Sequence, residues 1–168
     1  MELIEQRSRA LGGFIRRYAE LARLPPPNPE RVDIAALVRR VISFEPRLVV
    51  EMSSDPGETA HVDRSQLEQA LINLVRNAAD AALETGGGAR VRWRQAGRDL
   101  LIEAEDDGPG IAQTENLFVP FFTTKEGGSG IGLVLARQII EAHGGSLRLA
   151  NREGSRGAVA IVRVPTGG

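Results

Sequence analysis

Two asparagines one helical turn apart are the first residues whose type and spacing suggest chemistry. Asn73 and Asn77 share one face of a segment with helical periodicity, and Gln69 and Asp80 fall near the same line. Asparagine is only a moderate helix former, so two of them in mid-helix require a reason. A carboxamide oxygen is a good ligand for Mg²⁺, and it adds no negative charge beside phosphate groups. The alternative interpretation is a polar helix face in contact with solvent.

A carboxylate followed by two glycines comes directly after a predicted strand. Asp106 opens the stretch Asp-Asp-Gly-Pro-Gly-Ile, in which Gly108 and Gly110 are the glycines. A buried carboxylate can only accept hydrogen bonds, so it would favour an amino group such as that of adenine and reject the carbonyl of guanine. The two glycines would let a base approach the backbone closely. Alone, the same stretch is also typical of a tight turn.

A glycine-rich loop and an aromatic segment follow. Residues 127–133 (Gly-Gly-Ser-Gly-Ile-Gly-Leu) open a predicted helix, where free N–H groups and the positive end of the helix dipole could bind phosphate. No Lys-Ser/Thr follows, so this is not a Walker loop; a mobile linker is the alternative.

Residues 117–125 concentrate aromatic side chains. They predict either buried packing or a hinged lid that offers Thr123, Thr124 and Lys125 to phosphates.

Composition excludes several other kinds of site. The 168 residues include no Cys and two His, which excludes disulfides, thiolate metal sites and a cysteine nucleophile and disfavours a multi-histidine metal site. The formal net charge of -1 gives no general electrostatic case for binding nucleic acid. No apolar run approaches the roughly 20 residues needed to span a bilayer. We therefore expect a cytoplasmic chain, although its parent protein could be anchored in a membrane.

Hydrophobic periodicity and chain-breaking residues predict the elements that must position these groups. The proline run at residues 25–29 must end the first helix and marks a boundary. The order predicts an α/β fold with one sheet and helices packed on one face. The predicted helices cover residues 2–24, 33–44, 63–84 and 131–143, and the predicted strands cover residues 48–52, 60–62, 89–95, 99–105, 146–150 and 158–164.

Taken in order, these segments resemble the motifs of one family. Residues 71–81 resemble the N box of sensor histidine kinases, and residues 106–111, 118–125 and 128–133 resemble their first glycine box, F box and second glycine box. The four motifs define the ATP-binding domain of the GHKL superfamily. The lid and the Asn-Ala-Ala-Asp-Ala sequence are most similar to the nitrogen-regulation subgroup. The resemblance covers about residues 30–165 and implies a two-layer α/β sandwich with a mixed sheet.

The resemblance also implies roles for individual residues. Asn77 would coordinate Mg²⁺, Asp106 would bind the adenine amino group of ATP, and Lys125 would reach the terminal phosphate, while no residue is assigned as catalytic. The chemistry would be transfer of the γ-phosphoryl group to a histidine. The full predicted nucleotide site comprises Asn73, Asn77, Asp80, Ala81, Asp106, Gly108, Gly110, Ile111, Thr123, Thr124, Lys125, Gly128, Ser129, Gly130, Ile131, Gly132 and Leu133.

Three features depart from the family pattern. Asp107 stands where the glycine box usually has Asn, which predicts an extra negative charge beside the pocket. Ala158 stands in the final strand where Thr is common. The phosphoacceptor motif, a His followed by an acidic residue, is absent, because neither His61 nor His143 has an acidic neighbour. His61 is interpreted as a surface residue and His143 as a helix-end residue.

The N-terminal segment suggests how the chain is organised. Residues 1–24 resemble the second helix of the dimerisation and phosphotransfer hairpin, residues 25–32 form a Pro-rich linker, and residues 33–168 form the ATP-binding domain. The chain thus looks like part of a longer kinase and is not expected to phosphorylate itself. Its expected partners are ATP, a phosphoacceptor hairpin, a response regulator and a second copy bound through the N-terminal helix.

Two alternatives are consistent with the same sequence. One keeps the fold and changes the substrate, giving an anti-sigma-factor-like serine kinase. The other is a dimerisation module that keeps nucleotide binding only for stability. The apolar seam of residues 4–21 motivates this second alternative.

Overall fold

The computed structural model describes residues 24–54, 58–112, 117–120 and 130–166, together with Ala19. The predicted N-terminal helix and its apolar seam lie almost entirely outside the described residues. In chain order the elements are β1 (Glu30–Asp33), α1 (Ile34–Ser43), β2 (Val50–Ser54), β3 (Thr59–Val62), α2 (Arg64–Thr85), β4 (Ala89–Ala96), β5 (Asp99–Asp106), α3 (Gly132–Ala142), β6 (Ser146–Asn151) and β7 (Ala158–Pro165).

Five of the strands form one mixed sheet in the order β2-β4-β5-β7-β6. β2 pairs with β4 in parallel, and the other neighbours pair antiparallel. Side chains alternate along β4, where Val91 and Trp93 are buried while Arg92 and Arg94 are exposed. One face of the sheet is therefore apolar and carries the helices, which confirms the predicted two-layer α/β fold.

The core lies between that apolar face and the helices α1, α2 and α3. Its largest fully buried side chains come from every layer, which shows that the helices and the sheet share one core. They include Ile34, Leu37, Leu67, Leu74, Leu100, Ile102, Ile139 and Ile140. Within the described ranges, none of the helices combines the length and the apolar character needed to cross a bilayer.

The expectation of a single sheet is incomplete. β1 and β3 form a separate antiparallel pair, with Val32 opposite Ala60. β1 was not predicted, and residues 30–32 were interpreted as linker. The strand has four residues, of which only Val32 is buried, so its alternation is too short to recognise.

The long helix α2 begins and ends as its sequence predicts. Asp63 accepts a hydrogen bond from Gln66 N at 3.0 Å, and Gly86 ends the helix at φ +66°. Asp63 with Gln66 three residues later matches the capping-box pattern, but only half of the box forms. The Gln66 side chain donates to the Pro25 carbonyl at 2.8 Å, while Asp63 N donates to His143 Nε2 at 3.0 Å.

His143 joins two helix ends. Its Nε2 accepts from Asp63 N at 3.0 Å, so the ring proton resides on Nδ1, which donates to the Ile139 carbonyl at 2.7 Å. The imidazole therefore connects the C-terminal end of α3 to the N-terminal end of α2, in line with its interpretation as a helix-end residue. His61 is exposed, as predicted.

Replacing Asp63 by alanine should destabilise the fold by about 1–2 kcal/mol, the usual cost of losing an N-cap. Burial opposes ionisation of Asp63, but hydrogen bonds from Asn28 N and Gln66 N outweigh it and lower its pKa. The stabilisation is therefore present above the usual carboxyl pKa and lost as the pH falls through the lowered value. Urea unfolding at pH 7 measures the loss. Asp63→Asn keeps one oxygen acceptor and should lose less; equal losses in both variants would contradict the cap.

Candidate nucleotide-binding site

Asp106 lies at the end of β5 with 5% of its surface exposed. Its Oδ1 accepts from Gly108 N at 2.8 Å and from Ala158 N at 3.2 Å. Over the part of the chain that the structure describes, Oδ2 receives no hydrogen bond. Burial raises the pKa of Asp106 above its usual value, although both backbone hydrogen bonds act in the opposite direction. One oxygen is thus fixed, and the other is left to accept from a ligand.

The loop after Asp106 packs directly on α2. Gly108 is buried, and a Cβ atom at this position would lie 2.7 Å from the carbonyl carbon, the oxygen and the Cβ of Ala81. Gly110 has φ +83°, and a Cβ atom there would lie 2.8 Å from Asn151 Oδ1. The sequence suggested that the glycines let a base approach the backbone. In the structure, the close packing of α2 requires Gly108, and the position of Asn151 requires Gly110.

Asn73, Asn77 and Ala81 lie on one face of α2 and bring the predicted segments together. At one end of this face, a Cβ atom at Gly132 would lie 3.5 Å from Asn73 Oδ1, which places the first residue of α3 beside this carboxamide. At the other end, Ala81 touches Gly108. Asn73 and Asn77 are both half-buried. The face of α2 therefore runs from the start of α3 to the loop after Asp106.

Asp80 has a partner that the sequence did not predict. Arg47 Nη1 lies 2.7 Å from Asp80 Oδ1, and Arg47 Nη2 lies 2.6 Å from Glu45 Oε2. Glu45 is buried, and the hydrogen bond from Arg47 lowers its pKa. Asp80 is thus tied to the loop after α1. The role predicted for it at the nucleotide stays a prediction.

Gly130 and Gly132 flank the buried Ile131 at the start of α3. Gly130 has φ +64°, Ile131 is buried, and Leu133 packs against the core. Ile131 caps the helix without a side-chain hydrogen bond, so the first N–H groups of α3 receive no acceptor from the cap residue. Thr123, Thr124, Lys125, Gly128 and Ser129 lie outside the described residues, so their roles also stay predictions.

Part of the predicted lid is described. Phe118 packs against the core, and the guanidinium carbon of Arg137 lies 4.8 Å from the centre of its ring. Arg137 also pairs with Glu141 at 2.8 Å, one turn along α3. The aromatic segment is thus packed against α3 at Phe118, a contact that both buried packing and a lid with docked aromatics predict.

The turn between β6 and β7 contributes contacts that sequence reasoning missed. Asn151 Oδ1 accepts from Ile111 N at 2.7 Å, and Asn151 Nδ2 donates to the Ile111 carbonyl at 3.1 Å. Arg152 Nη1 donates to the Asp106 carbonyl at 3.2 Å. Gly157, with φ +104°, packs against the backbone of Asp106. The only signal in the sequence is a glycine-containing turn between two strands.

The charge of Asp107 is compensated. Arg90 Nη2 lies 3.0 Å from Asp107 Oδ2, Arg152 pairs with Oδ1, and Gly88 N donates at 3.2 Å. Burial opposes ionisation, but the hydrogen bonds from Arg152, Gly88 and Arg90 outweigh it and lower the pKa of Asp107. The extra negative charge of Asp107, which departs from the family pattern, is therefore balanced by the guanidinium groups of Arg90 and Arg152. Ala158 contributes to the site through its backbone N–H.

Comparison with known proteins gives matches to one family. A model for histidine kinase-, DNA gyrase B- and HSP90-like ATPases matches residues 62–168. The nitrogen regulation protein NtrY of Azorhizobium caulinodans is 31% identical over 160 residues, covering 88% of this chain and 21% of NtrY. The C4-dicarboxylate transport sensor protein DctS of Rhodobacter capsulatus is 35% identical over 178 residues, covering 98% of this chain and 27% of DctS.

A solved structure agrees over most of the chain. The nucleotide-free catalytic domain of the histidine kinase ThkA superposes with a TM-score of 0.75 at 30% identity, covering 83% of this chain and 96% of that domain. The chain thus spans only 21% and 27% of the two curated relatives but nearly all of the ThkA domain. It belongs to the histidine kinase-, DNA gyrase B- and HSP90-like ATPase family, as a catalytic domain of the sensor histidine kinase type.

Proposed function

We propose that this chain binds Mg-ATP and donates the γ-phosphoryl group to a histidine on a helical hairpin outside the present sequence. The observation that carries the proposal is the hydrogen bonding of Asp106. Two backbone N–H groups occupy Oδ1, and no described residue donates to Oδ2. Asp106 is buried as a residue, and an oxygen of such a carboxylate that receives no donor from the described chain selects a ligand that brings one; the adenine amino group has that chemistry.

The polar face of α2 would hold the metal and the phosphates. Asn77 would coordinate Mg²⁺ and Asn73 would lie at the phosphates, since uncharged oxygens add no repulsion beside a triphosphate. When bound, Mg²⁺ would neutralise charge on the phosphate oxygens. No group of three or more acidic or histidine side chains in the described ranges could hold a metal by itself. The uncharged oxygens of Asn73 and Asn77 are donors that fit a cation bound together with a nucleotide.

The start of α3 would bind the phosphate chain. Gly132 opens the helix beside Asn73, and the first N–H groups of a helix favour negative charge. We assign Thr123, Thr124 and Lys125 of the lid, and Gly128 and Ser129 of the glycine loop, to the same phosphates. Catalysis would then rest on positioning the γ-phosphate and screening its charge, which is most of what phosphoryl transfer requires.

The partners follow from this chemistry. The acceptor would be a phosphoacceptor helix pair, and the phosphoryl group would pass from it to a response regulator. Residues 1–24 would contribute one helix to the dimer that forms this pair. The assignments of the hairpin and the dimer rest on the resemblance of residues 1–24 to the second helix of the dimerisation and phosphotransfer hairpin.

Mg-ATP titrated into the purified chain should release heat, with a dissociation constant that rises when Mg²⁺ is chelated. With γ-labelled ATP and an added phosphoacceptor hairpin from a related sensor kinase, label should appear on the hairpin. The product should be labile in acid, as phosphohistidine is. A product stable in acid would support the serine-kinase alternative, and binding without any transfer would support a nucleotide-stabilised module. Absence of binding would refute the proposal.

A further inference from the structure

We propose that the β6–β7 turn, taken here as residues 151–158 so that it includes the last residue of β6 and the first residue of β7, determines base selection. Asn151 and Arg152 act as positioning residues for Asp106. This inference rests on the proposed function, because it concerns the same adenine contact. Neither side chain needs to touch the nucleotide. Asn151 contacts the loop of residues 106–111 at Ile111, and Arg152 contacts it at the Asp106 carbonyl.

Asn151 holds the far end of the loop. Its carboxamide accepts from Ile111 N at 2.7 Å and donates to the Ile111 carbonyl at 3.1 Å, as a neighbouring strand residue would. Gly110 leaves room for this contact, since a Cβ atom there would lie 2.8 Å from Asn151 Oδ1. The pair of hydrogen bonds is specific for Asn, because aspartate lacks the donor and alanine lacks both groups.

Arg152 holds the near end. Its Nη1 donates to the Asp106 carbonyl at 3.2 Å and to the Arg156 carbonyl at 3.2 Å, and it pairs with the Asp107 carboxylate. One guanidinium thus links the backbone of the loop to the backbone of the turn. The side chain is only 19% exposed, so water competes little for these contacts.

The direction of the Asp106 carboxylate depends on this attachment. Ala158, at the end of the turn, donates its N–H to Oδ1. Gly108 N donates to the same oxygen from within the loop. If the turn and the loop shift relative to each other, these donors no longer fall on one oxygen, and Oδ2 loses its unique role as acceptor. A base contact would then weaken, and discrimination between an amino group and a carbonyl at position 6 of the purine would weaken with it.

The test compares two nucleotides that differ at that position, Mg-ATP and Mg-ITP, by calorimetry on the full 168-residue chain. Asn151→Ala and Arg152→Ala should each weaken ATP binding about tenfold, the effect of losing roughly one strong hydrogen bond. Each should also lower the ratio of ITP to ATP dissociation constants. A purely structural role would lower the melting temperature of the free chain and leave that ratio unchanged.

Ser155→Ala is the matched control. Ser155 is exposed in the same turn, and its side chain makes no hydrogen bond with any described residue. Asn151→Asp should behave like Asn151→Ala, because its second oxygen would face the Ile111 carbonyl. If Asn151→Ala does not fold, Arg152→Ala and Asn151→Asp still decide the question.

The outcomes separate the two proposals. A wild-type chain that binds neither nucleotide overturns the proposed function and this inference together. A wild-type chain that prefers ATP, with folded variants that keep the same ITP-to-ATP ratio, overturns this inference alone. A reduced ratio in the variants but not in Ser155→Ala supports it.

Discussion

Replacing Asp106 by asparagine should weaken ATP binding strongly and leave the fold intact. The carboxamide keeps an oxygen that can accept from Gly108 N and Ala158 N, so the backbone around it should not move. The atom in place of Oδ2 becomes an NH₂ group, which would face the amino group of adenine, donor against donor. We expect ATP affinity to fall about 100-fold, corresponding to about 3 kcal/mol for a hydrogen bond to a charged group.

Without nucleotide, the Asp106→Asn variant should be at least as stable as the wild type. Burial raises the pKa of Asp106, so the folded state binds this proton more tightly than the unfolded state does. Ionisation of Asp106 therefore costs stability above the unfolded pKa, and the cost disappears as the pH falls below it. Asp106→Asn should match or exceed the wild type in thermal melts at pH 7. A variant that binds ATP normally would contradict the assignment of Asp106 as the base contact.

Replacing Gly157 by alanine should have the largest effect on stability. Gly157 has φ +104°, a conformation that L-residues rarely adopt, and a Cβ atom there would overlap the Asp106 carbonyl oxygen. The same atom would lie 2.7 Å from the carbonyl carbon of Asp106 and 3.0 Å from Asp107 Cα. Because these neighbours are backbone atoms, no side chain can rotate away. We expect a loss of about 3 kcal/mol or more, from backbone strain and overpacking combined.

Gly154→Ala separates the two contributions. Gly154 lies in the same turn with φ +69°, but a Cβ atom there would meet nothing within 4 Å. This variant should lose only about 1–2 kcal/mol from backbone strain. Urea unfolding of both variants measures the difference, and calorimetry should show that only Gly157→Ala also loses ATP binding. Equal losses in the two variants would mean that the contact with Asp106 is unimportant.

Much of the fold follows from local signals. α2 could be predicted over its whole length because Asp63 and Gly86 mark its ends and a regular apolar stripe lies between them. Strands β4 and β5 alternate clearly and are joined by a short turn. β1 could not be predicted, since its four residues gain their structure from β3, which lies far along the chain.

The residues of the site also fall into those that could be predicted from the sequence and those that could not. Asn73, Asp106 and Gly108 stand out because their residue types are unusual for a mid-helix or strand-end position unless they bind something. Asn151 and Arg152 do not stand out, because polar residues are common in any hairpin turn. Their role depends on a partner about 40 positions earlier in the chain, and nothing local encodes that distance.

The way the chain enters the domain has a mechanical consequence. Gln66 holds the Pro25 carbonyl and Asp63 holds Asn28 N, so the proline-rich stretch is docked on the first turn of α2 rather than acting as a free hinge. Asn77 lies eleven residues further along the same helix, which is about 16 Å at 1.5 Å per residue. The helix α2 thus separates the point of attachment from Asn77, the proposed metal ligand. The length and direction of α2 would therefore set the position of any module attached to the proline-rich stretch, relative to the phosphates of a bound nucleotide.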